Sequence, residues 1–142
     1  HYNWRVVLGK VILPLIDNGK RPALPRVMLV DDDRTMVKLL KTLLELDGFE
    51  VFVARQGNTL IETALEASPD VFLMDYHLPD STGAELVRQI RANNTLADIP
   101  VIIASGMDVE EEVLAAGADA FLVKPFDLDD LPNLFMKLIK TG

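Results

Sequence analysis

Five short apolar runs, each separated from the next by a longer amphipathic stretch, constrain the fold of this chain more than any other feature. The runs are rich in branched residues and occupy positions 27–30, 51–53, 71–74, 101–104 and 120–123. Continuous apolarity over so few residues is typical of strands covered on both faces, as in a parallel sheet. The pattern predicts an α/β domain of the (βα)5 type, with a doubly wound parallel sheet and right-handed crossovers.

The stretches between the runs carry apolar residues at helical spacing. The first predicted helix has one stripe, made of Met36, Leu39, Leu40, Leu43, Leu44 and Asp47, and Gly48 stops it. Ser68 precedes a proline and ends the second helix. The fourth helix is short, from Glu110 to Ala116, with Gly117 as its cap, and Asp127 is the predicted N-cap of the fifth.

Composition narrows the classes of function. A chain of 142 residues with a hydrophobic fraction of 49% fits one packed domain. The net charge of -8 and the absence of a basic run disfavour direct binding of nucleic acid. Because there is no cysteine, disulfides, thiolate catalysis and cysteine-ligated zinc are excluded, which fits a reducing cytoplasm. The apolar runs are too short to span a membrane.

The regular pattern begins at Arg26, so residues 26–142 are predicted to be the domain and residues 1–25 an N-terminal extension or linker. Within the extension a helical stripe is predicted, formed by Trp4, Val7, Leu8, Val11, Ile12 and Leu15. Such a stripe would dock on the domain, pair with another chain or belong to an upstream domain. A linker or partly ordered arm is the competing interpretation.

Polar side chains follow four of the five predicted strands. They are Asp31, Asp32 and Asp33 after the first, Asp75 after the third, Ser105 after the fourth and Lys124 after the fifth. The carboxyl ends of parallel strands lie at one edge of the sheet, where doubly wound folds bind their ligands. We therefore expect these groups to converge on one crevice.

The residue types in this crevice suit one kind of chemistry. Clustered carboxylates repel each other unless a cation lies between them, and oxygen ligands favour Mg²⁺ over Zn²⁺. A carboxylate beside Mg²⁺ can attack phosphorus. The hydroxyl of Ser105 and the ammonium of Lys124 would then neutralise oxygens of the transferring group. The carboxylates, the hydroxyl and the ammonium together are sufficient to form an acyl phosphate. Asp33 is interpreted separately, as a cap of the first helix.

Residues 26–140 resemble the receiver domain of two-component response regulators. The matching stretches are Val-Asp-Asp at 30–32, Met-Asp-Tyr-His-Leu-Pro-Asp-Ser-Thr-Gly at 74–83, Pro-Val-Ile-Ile-Ala-Ser-Gly at 100–106 and Ala-Gly-Ala-Asp-Ala-Phe-Leu-Val-Lys-Pro-Phe at 116–126. They occur in family order across the whole domain. The resemblance is therefore more specific than any single motif.

The resemblance implies a flavodoxin-like sheet with strand order 2-1-3-4-5 and a role for each matched residue. Asp75 would be the phosphoacceptor. Asp31, Asp32, Asp75 and the backbone carbonyl of His77 would bind Mg²⁺. The donor would be a histidine kinase or a phosphotransfer protein. The domain would be a signalling switch that catalyses only its own phosphorylation and dephosphorylation, and its output and any homodimer are left open.

The resemblance also assigns the residues that respond to phosphorylation. Ser105 would bond the phosphoryl group, Lys124 would pair with it, and Phe121 would pack inward when Ser105 moves. The peptide bond between Lys124 and Pro125 would be cis and would aim the lysine inward. Gly83 would allow the turn into the third helix.

Two features depart from the usual receiver pattern. The fourth helix is about one turn short, which weakens any transfer of the family's usual dimer surface. Met107, two residues after Ser105, replaces the polar types that are common there. An apolar side chain at this position would screen the phosphoryl group from water, so slow loss of phosphate is predicted.

Two other functions compete with this interpretation. Asp31-x-Asp33-x-Thr35 also matches the haloacid-dehalogenase phosphatase pattern, in which Asp31 would be the nucleophile and Asp33 the general acid. Ser105 and Lys124 would then bind phosphate, but Asp75 would have no role. The second alternative is a receiver-like interaction module that is never phosphorylated.

Overall fold

The computed structural model describes residues 4–7, 10–14 and 23–141. Near the N-terminus, β1 (Trp4–Val7) and β2 (Lys10–Pro14) pair antiparallel. The helical stripe predicted here is wrong, because the β-branched residues in these segments favour extended backbone: they are Val6, Val7, Val11 and Ile12. Two further members of the predicted stripe, Leu8 and Leu15, lie outside the described residues.

The rest of the described chain forms a five-stranded parallel sheet with helices on both faces. Its strands are β3 (Arg26–Val30), β4 (Glu50–Ala54), β5 (Val71–Asp75), β6 (Val101–Ser105) and β7 (Ala120–Val123). The helices are α1 (Arg34–Leu46), α2 (Leu60–Ala67), α3 (Gly83–Ala92), α4 (Glu110–Ala116) and α5 (Leu131–Thr141). The order β4-β3-β5-β6-β7 confirms the predicted order 2-1-3-4-5 when strands are counted from β3.

Alternate residues of each central strand pack against different helices. Met28, Phe72 and Ile103 belong to a core that includes residues of α2, α3 and α4. Val71 and Ile102 point to the opposite face of the sheet and belong to a second core with residues of α1 and α5. Helices cover both faces of the sheet, so every residue of β5 before Asp75 and every residue of β6 is buried. Both strands are therefore apolar up to their last residue.

Most helix ends lie at the residues predicted from the sequence, and one differs. Ser68 ends α2 with a left-handed φ of 51°, and Gly117 ends α4 with a φ of 117°. Asp33 caps α1 by accepting a hydrogen bond from the backbone N–H of Met36 at 3.1 Å. Asp127 caps a short 3₁₀ turn, Leu128–Asp130, which leads into α5 instead of capping that helix itself.

The apolar stripe predicted for α1 is only partly correct. Leu40 and Leu44 are buried, together with Val37, which the prediction omitted. Leu39 and Leu43 are exposed, because the face that meets the sheet is narrower than the run of apolar residues.

Candidate functional site

Three carboxylates meet at the carboxyl edge of the sheet. Asp31 and Asp32 directly follow β3, and Asp75 is the last residue of β5. Val30 pairs with Met74 in the parallel register of these strands, so Asp31 and Asp75 lie side by side one residue further on. One oxygen from each of the three carboxylates lies within 4.8 Å of the others. The structure thus brings together the acidic residues that the sequence singles out.

This carboxylate cluster suits a hard divalent cation. All its donors are oxygens, and three negative charges at this separation repel each other without a counter-ion. The side chains differ in exposure, since Asp31 is buried, Asp75 is half-buried and Asp32 is exposed. An ion would therefore have an open side toward solvent and a closed side toward the protein.

Asp31 is the most buried carboxylate of the cluster. Its side chain is only 8% exposed, and one of its oxygens accepts a hydrogen bond from the backbone N–H of Asp33 at 2.9 Å. Burial raises the pKa of Asp31, and the neighbouring charge of Asp75 raises it further. The bond from Asp33 and the charge of Lys124 act in the opposite direction. Ionised Asp31 therefore destabilises the metal-free fold.

Asp31→Asn is expected to stabilise the metal-free protein at neutral pH by ~1–2 kcal/mol, because the amide has no charge to bury. The raised pKa of Asp31 means that its penalty develops as pH rises above the ordinary value of 3.8. The advantage of the variant should accordingly shrink as pH falls from about 7 to about 4. Urea unfolding with a chelator present measures this, with the exposed Asp98→Asn as the control. A variant less stable than wild type at neutral pH would contradict the account.

Lys124 supplies the positive charge of the site. It directly follows β7, and its backbone N–H donates to the carbonyl of Ser105 at 2.9 Å. Its ammonium donates to an Asp75 carboxylate oxygen at 3.1 Å, an ion pair in which the Asp75 side chain is 14% exposed. The peptide bond between Lys124 and Pro125 is cis. Asp75 therefore lies between the other carboxylates and an ammonium.

Ser105 lies at the end of β6, beside this ion pair. It is 1% exposed, and its hydroxyl oxygen accepts a hydrogen bond from the backbone N–H of Met107 at 3.0 Å. Asp75 pairs with Ala104 in the register between β5 and β6, which places Ser105 one residue beyond it at the same edge. The hydroxyl proton remains available for a further acceptor.

The loop after β5 is held by its own backbone and by its Asp80 carboxylate, which bonds to a segment distant in sequence. The N–H of Gly83 donates to the carbonyl of Tyr76 at 2.7 Å, and His77 forms a bridge with Thr82. Asp80 accepts from the backbone N–H groups of Gly57 and Asn58, both at 2.8 Å, and these bonds hold the pKa of Asp80 below its usual value. The segment that includes His77 is thus anchored at both ends.

Gly83 is required for close packing, which differs from the turn that the resemblance implied. Its φ is not left-handed. Among the described glycines, a left-handed φ occurs at Gly48 and Gly117. A Cβ atom at Gly83 would lie 3.1 Å from the Cα of Tyr76 and 3.2 Å from a methyl of Ile103. The helix therefore starts against the end of β5 without room for a side chain.

His77 and Met107 meet on the solvent side of the site. The His77 side chain is exposed, and its Nε2 atom lies 3.1 Å from the sulfur of Met107. Met107 is itself 57% exposed. The pair lies across the loops that follow β5 and β6, the same loops that position Asp75 and Ser105.

Phe121 lies within β7, on the side of the sheet that faces α2, α3 and α4. It is half-buried and packs at the margin of that core. Tyr76 belongs to the same core, and its hydroxyl donates a hydrogen bond to Glu112 of α4, a contact that the sequence did not indicate. That bond is the main cause of a raised pKa of Tyr76. The position of Tyr76 directly after Asp75 was the available signal, but nothing in the sequence indicated Glu112.

Asp33 is separated in function from the acidic residues before it. Its side chain is occupied by the Met36 N–H as the cap of α1, and its own N–H bonds to Asp31.

Within the part of the chain that the structure describes, no helix has both the length and the apolarity needed to cross a lipid bilayer.

Comparison with known proteins gives one consistent family. The profile of the response regulator receiver domain matches residues 27–135. The transcriptional regulatory protein PrrA of Mycobacterium tuberculosis is 40% identical over 110 residues, which are 75% of this chain and 46% of that protein. The regulatory protein AtoC of Escherichia coli is 33% identical over 116 residues, 81% of this chain and 25% of that protein. The chain thus spans less than half of the length of these curated relatives.

Solved structures agree with this assignment. The chemotaxis response regulator CheY4 of Vibrio cholerae superposes with a TM-score of 0.75 at 28% identity, covering 82% of this chain and 99% of that one. The receiver domain of the sensor histidine kinase PA1611 from Pseudomonas aeruginosa, which has a magnesium ion coordinated in its active-site cleft, superposes with a TM-score of 0.72 at 26% identity over 83% and 99% of the two chains. The chain belongs to the response regulator receiver domain family, the phosphorylation-controlled switches of two-component signal transduction.

Proposed function

We propose that Asp75 of this receiver domain accepts a phosphoryl group from a phosphohistidine, with Mg²⁺ held by Asp31, Asp32, Asp75 and the backbone carbonyl of His77. One observation carries the assignment to Asp75. It belongs to the carboxylate cluster and also pairs with Lys124 at 3.1 Å. Cations close to the nucleophile assist phosphoryl transfer, because they neutralise the charge on the transferring oxygens.

The reaction moves phosphorus from nitrogen to oxygen. A carboxylate oxygen of Asp75 attacks in line, the phosphorus–nitrogen bond breaks, and the departing ring nitrogen keeps the electron pair and takes up a proton from solvent. Mg²⁺, when bound, neutralises charge on the carboxylates and on the equatorial phosphoryl oxygens. The ammonium of Lys124 pairs with one of those oxygens, and the Ser105 hydroxyl donates to another. These groups act on the domain itself, so the protein is a signalling switch whose only catalysis is its own phosphorylation and dephosphorylation.

The switching step follows from the new charge at the strand ends. As Ser105 and Lys124 close on the phosphoryl oxygens, Phe121 packs inward from its half-buried position at the margin of the core. The population then shifts toward an active arrangement of α4, β7 and α5, which a partner reads. The short α4 makes this face different from the usual one of the family.

The domain is proposed to receive its phosphoryl group from a histidine kinase or a phosphotransfer protein, and to be read by an output domain or partner. We assign residues 26–142 to the receiver domain and residues 1–25 to an N-terminal extension. The match of the family profile to residues 27–135 supports these boundaries.

Neither competing function is favoured. The haloacid-dehalogenase interpretation needs Asp33 as a free general acid, but its side chain caps α1. It also leaves the pairing of Asp75 with Lys124 without a purpose. A module that is never phosphorylated has no need for three carboxylates within 4.8 Å of each other, because their repulsion is a cost without a structural return.

Intact mass spectrometry tests the proposal. Wild-type protein incubated with acetyl phosphate and Mg²⁺ is expected to gain the mass of one phosphoryl group, and to gain none when a chelator replaces Mg²⁺. Failure to gain mass with any small phosphodonor would favour the non-phosphorylated module. Steady turnover of an aryl phosphate would favour the phosphatase.

The phosphorylated domain is expected to lose its phosphate slowly, with a half-life well beyond seconds. Met107 lies against His77 on the solvent side of the site and limits the approach of water. Met107→Ala should speed hydrolysis about 3- to 10-fold, measured as the decay of the phosphorylated mass. Leu114→Ala, which shortens another exposed apolar side chain, on α4, serves as the control. A wild-type half-life of seconds, or no change in the variant, would refute the screening role.

A further inference from the structure

A cavity of about 450 Å³ lies next to the carboxylate cluster, between the start of α1 and the segment that joins β7 to α5. We call it the α1–α5 cavity. Its lining is Leu29, Val30, Asp31, Met36, Leu40, Leu73, Met74, Asp75, Ala104, Lys124, Pro125, Phe126 and Leu128. Asp32, His77 and Ser105, which complete the phosphorylation site, are not part of the lining.

The α1–α5 cavity has one charged end and a long apolar end. Asp31, Asp75 and Lys124 form the charged end. The apolar end extends toward the core beneath α1 and α5, to which Leu40 and Leu128 contribute. Neither Mg²⁺ nor a phosphoryl group has any use for an apolar chamber, because both are bound by polar groups. The phosphorylation chemistry therefore leaves most of this cavity unexplained.

Size and polarity together indicate the kind of occupant. Small-molecule sites are typically clefts of about 300–1,000 Å³, lined mainly by apolar side chains with a few polar groups that fix orientation. The α1–α5 cavity has that volume and that lining. It is also larger than any single side chain of a docking protein would fill. A small organic molecule fits it better than a partner's residue does.

Charge determines the head group of that molecule. The charged end has two carboxylates and one ammonium, and Lys124 is already paired with Asp75 at 3.1 Å. Asp31 is 92% buried, by its exposure of 8%, and one oxygen accepts from the N–H of Asp33. No hydrogen-bond donor among residues 23–141 reaches its second oxygen, which is the one free to hold Mg²⁺ in the proposed function. When Mg²⁺ is absent, this buried carboxylate, which lines the cavity, favours a cationic donor.

We propose that the α1–α5 cavity binds a small amine, with its ammonium on Asp31 and its aromatic or aliphatic body among Met36, Leu40, Phe126 and Leu128. Binding would link the phosphorylation site to a small molecule. This inference rests on the proposed function, in which Asp31 also binds Mg²⁺. The amine and the metal therefore compete for Asp31. The amine would then hold the domain in a state that cannot accept phosphate.

The test uses the whole chain with ¹³C-labelled leucine and methionine methyl groups and 2-phenylethylamine as the probe. A ligand of about nine non-hydrogen atoms is expected to bind with a Kd on the order of 1 mM. Methyl signals of Met36, Leu40 and Leu128 should shift and saturate without Mg²⁺, while those of the exposed Leu39 and Leu46 should not move. The neutral analogue 2-phenylethanol should bind about tenfold more weakly, because it lacks the charge-assisted bond.

Variants separate the two ends of the site. Asp31→Asn should remove the preference for the amine over the alcohol while the apolar body still binds. Leu128→Trp should fill the chamber and abolish binding of both probes, and a circular dichroism spectrum checks that this variant folds. The Asp31→Asn comparison stands even if Leu128→Trp fails to fold. Equal affinity of amine and alcohol for wild type, or shifts confined to exposed methyl groups, would overturn the proposal.

Adding Mg²⁺ distinguishes failure of this inference from failure of the proposed function. An apparent Kd of the amine that rises with Mg²⁺ supports both. If the amine binds at the predicted methyl groups but the protein never gains a phosphoryl group, the cavity assignment stands and the proposed function falls. If the protein is phosphorylated but the methyl groups do not respond up to about 10 mM amine, a concentration well above the expected Kd, the cavity assignment falls alone.

Discussion

Asp75→Asn is expected to gain no phosphoryl group under conditions in which wild type is fully modified, a loss of at least ~1,000-fold because the amide is not a nucleophile. The asparagine keeps the shape of the side chain, so the fold should survive. The measurement is intact mass over time with acetyl phosphate and Mg²⁺, with far-ultraviolet circular dichroism to verify folding.

Asp33→Asn is the matched control for this experiment. It removes a carboxylate close to the site, but asparagine caps helices as well as aspartate does. The bond that Asp33 accepts from Met36 is thus retained and the rate should stay near that of wild type. If Asp75→Asn were still modified, the phosphoacceptor would be another residue. If Asp31→Asn but not Asp75→Asn abolished turnover of an aryl phosphate, the phosphatase interpretation would be correct.

Lys124→Met should slow phosphorylation about 100-fold, the usual scale for losing one charge that stabilises a transition state. The methionine has a similar length and apolar character to the lysine stem but no ammonium. It leaves Asp75 without its partner at 3.1 Å and leaves the incoming phosphoryl oxygens without a cation. The rate of mass gain at fixed acetyl phosphate and saturating Mg²⁺ measures the effect.

Lys41→Met provides the comparison, because Lys41 forms an exposed pair with Glu45 one turn away. Surface pairs of this kind contribute only about 0.3–0.5 kcal/mol and have no link to the site. A Lys124→Met rate within about twofold of the Lys41→Met rate would show that Lys124 has no part in stabilising the transition state.

The site was predictable because strand ends in a parallel sheet are forced into alignment. Once 27–30 and 71–74 are recognised as neighbouring strands, the residues that follow them must lie side by side, and the register of Val30 with Met74 gives that result. The end of α4 was predictable for a local reason, since Gly117 adopts a left-handed φ that stops the helix.

Features that depend on packing at a distance were not predictable. The antiparallel pairing of residues 4–7 with residues 10–14 is one such feature, because the helical spacing of this segment is a chance match and its β-branched residues favour extended backbone. The bond of Tyr76 to Glu112 joins residues 36 positions apart with no pattern linking them. The α1–α5 cavity exists because Met36 and Phe126 pack around a space that no single stretch of sequence describes.

The chemical position of the phosphoryl group tests the central assignment most directly. Borohydride reduces an aspartyl phosphate to homoserine, and peptide mapping then locates the reduced residue. Reduction is expected at position 75 in the wild-type domain, dependent on prior incubation with Mg²⁺ and acetyl phosphate. Reduction at position 31, 32 or 33 instead, with Asp75 intact, would contradict it.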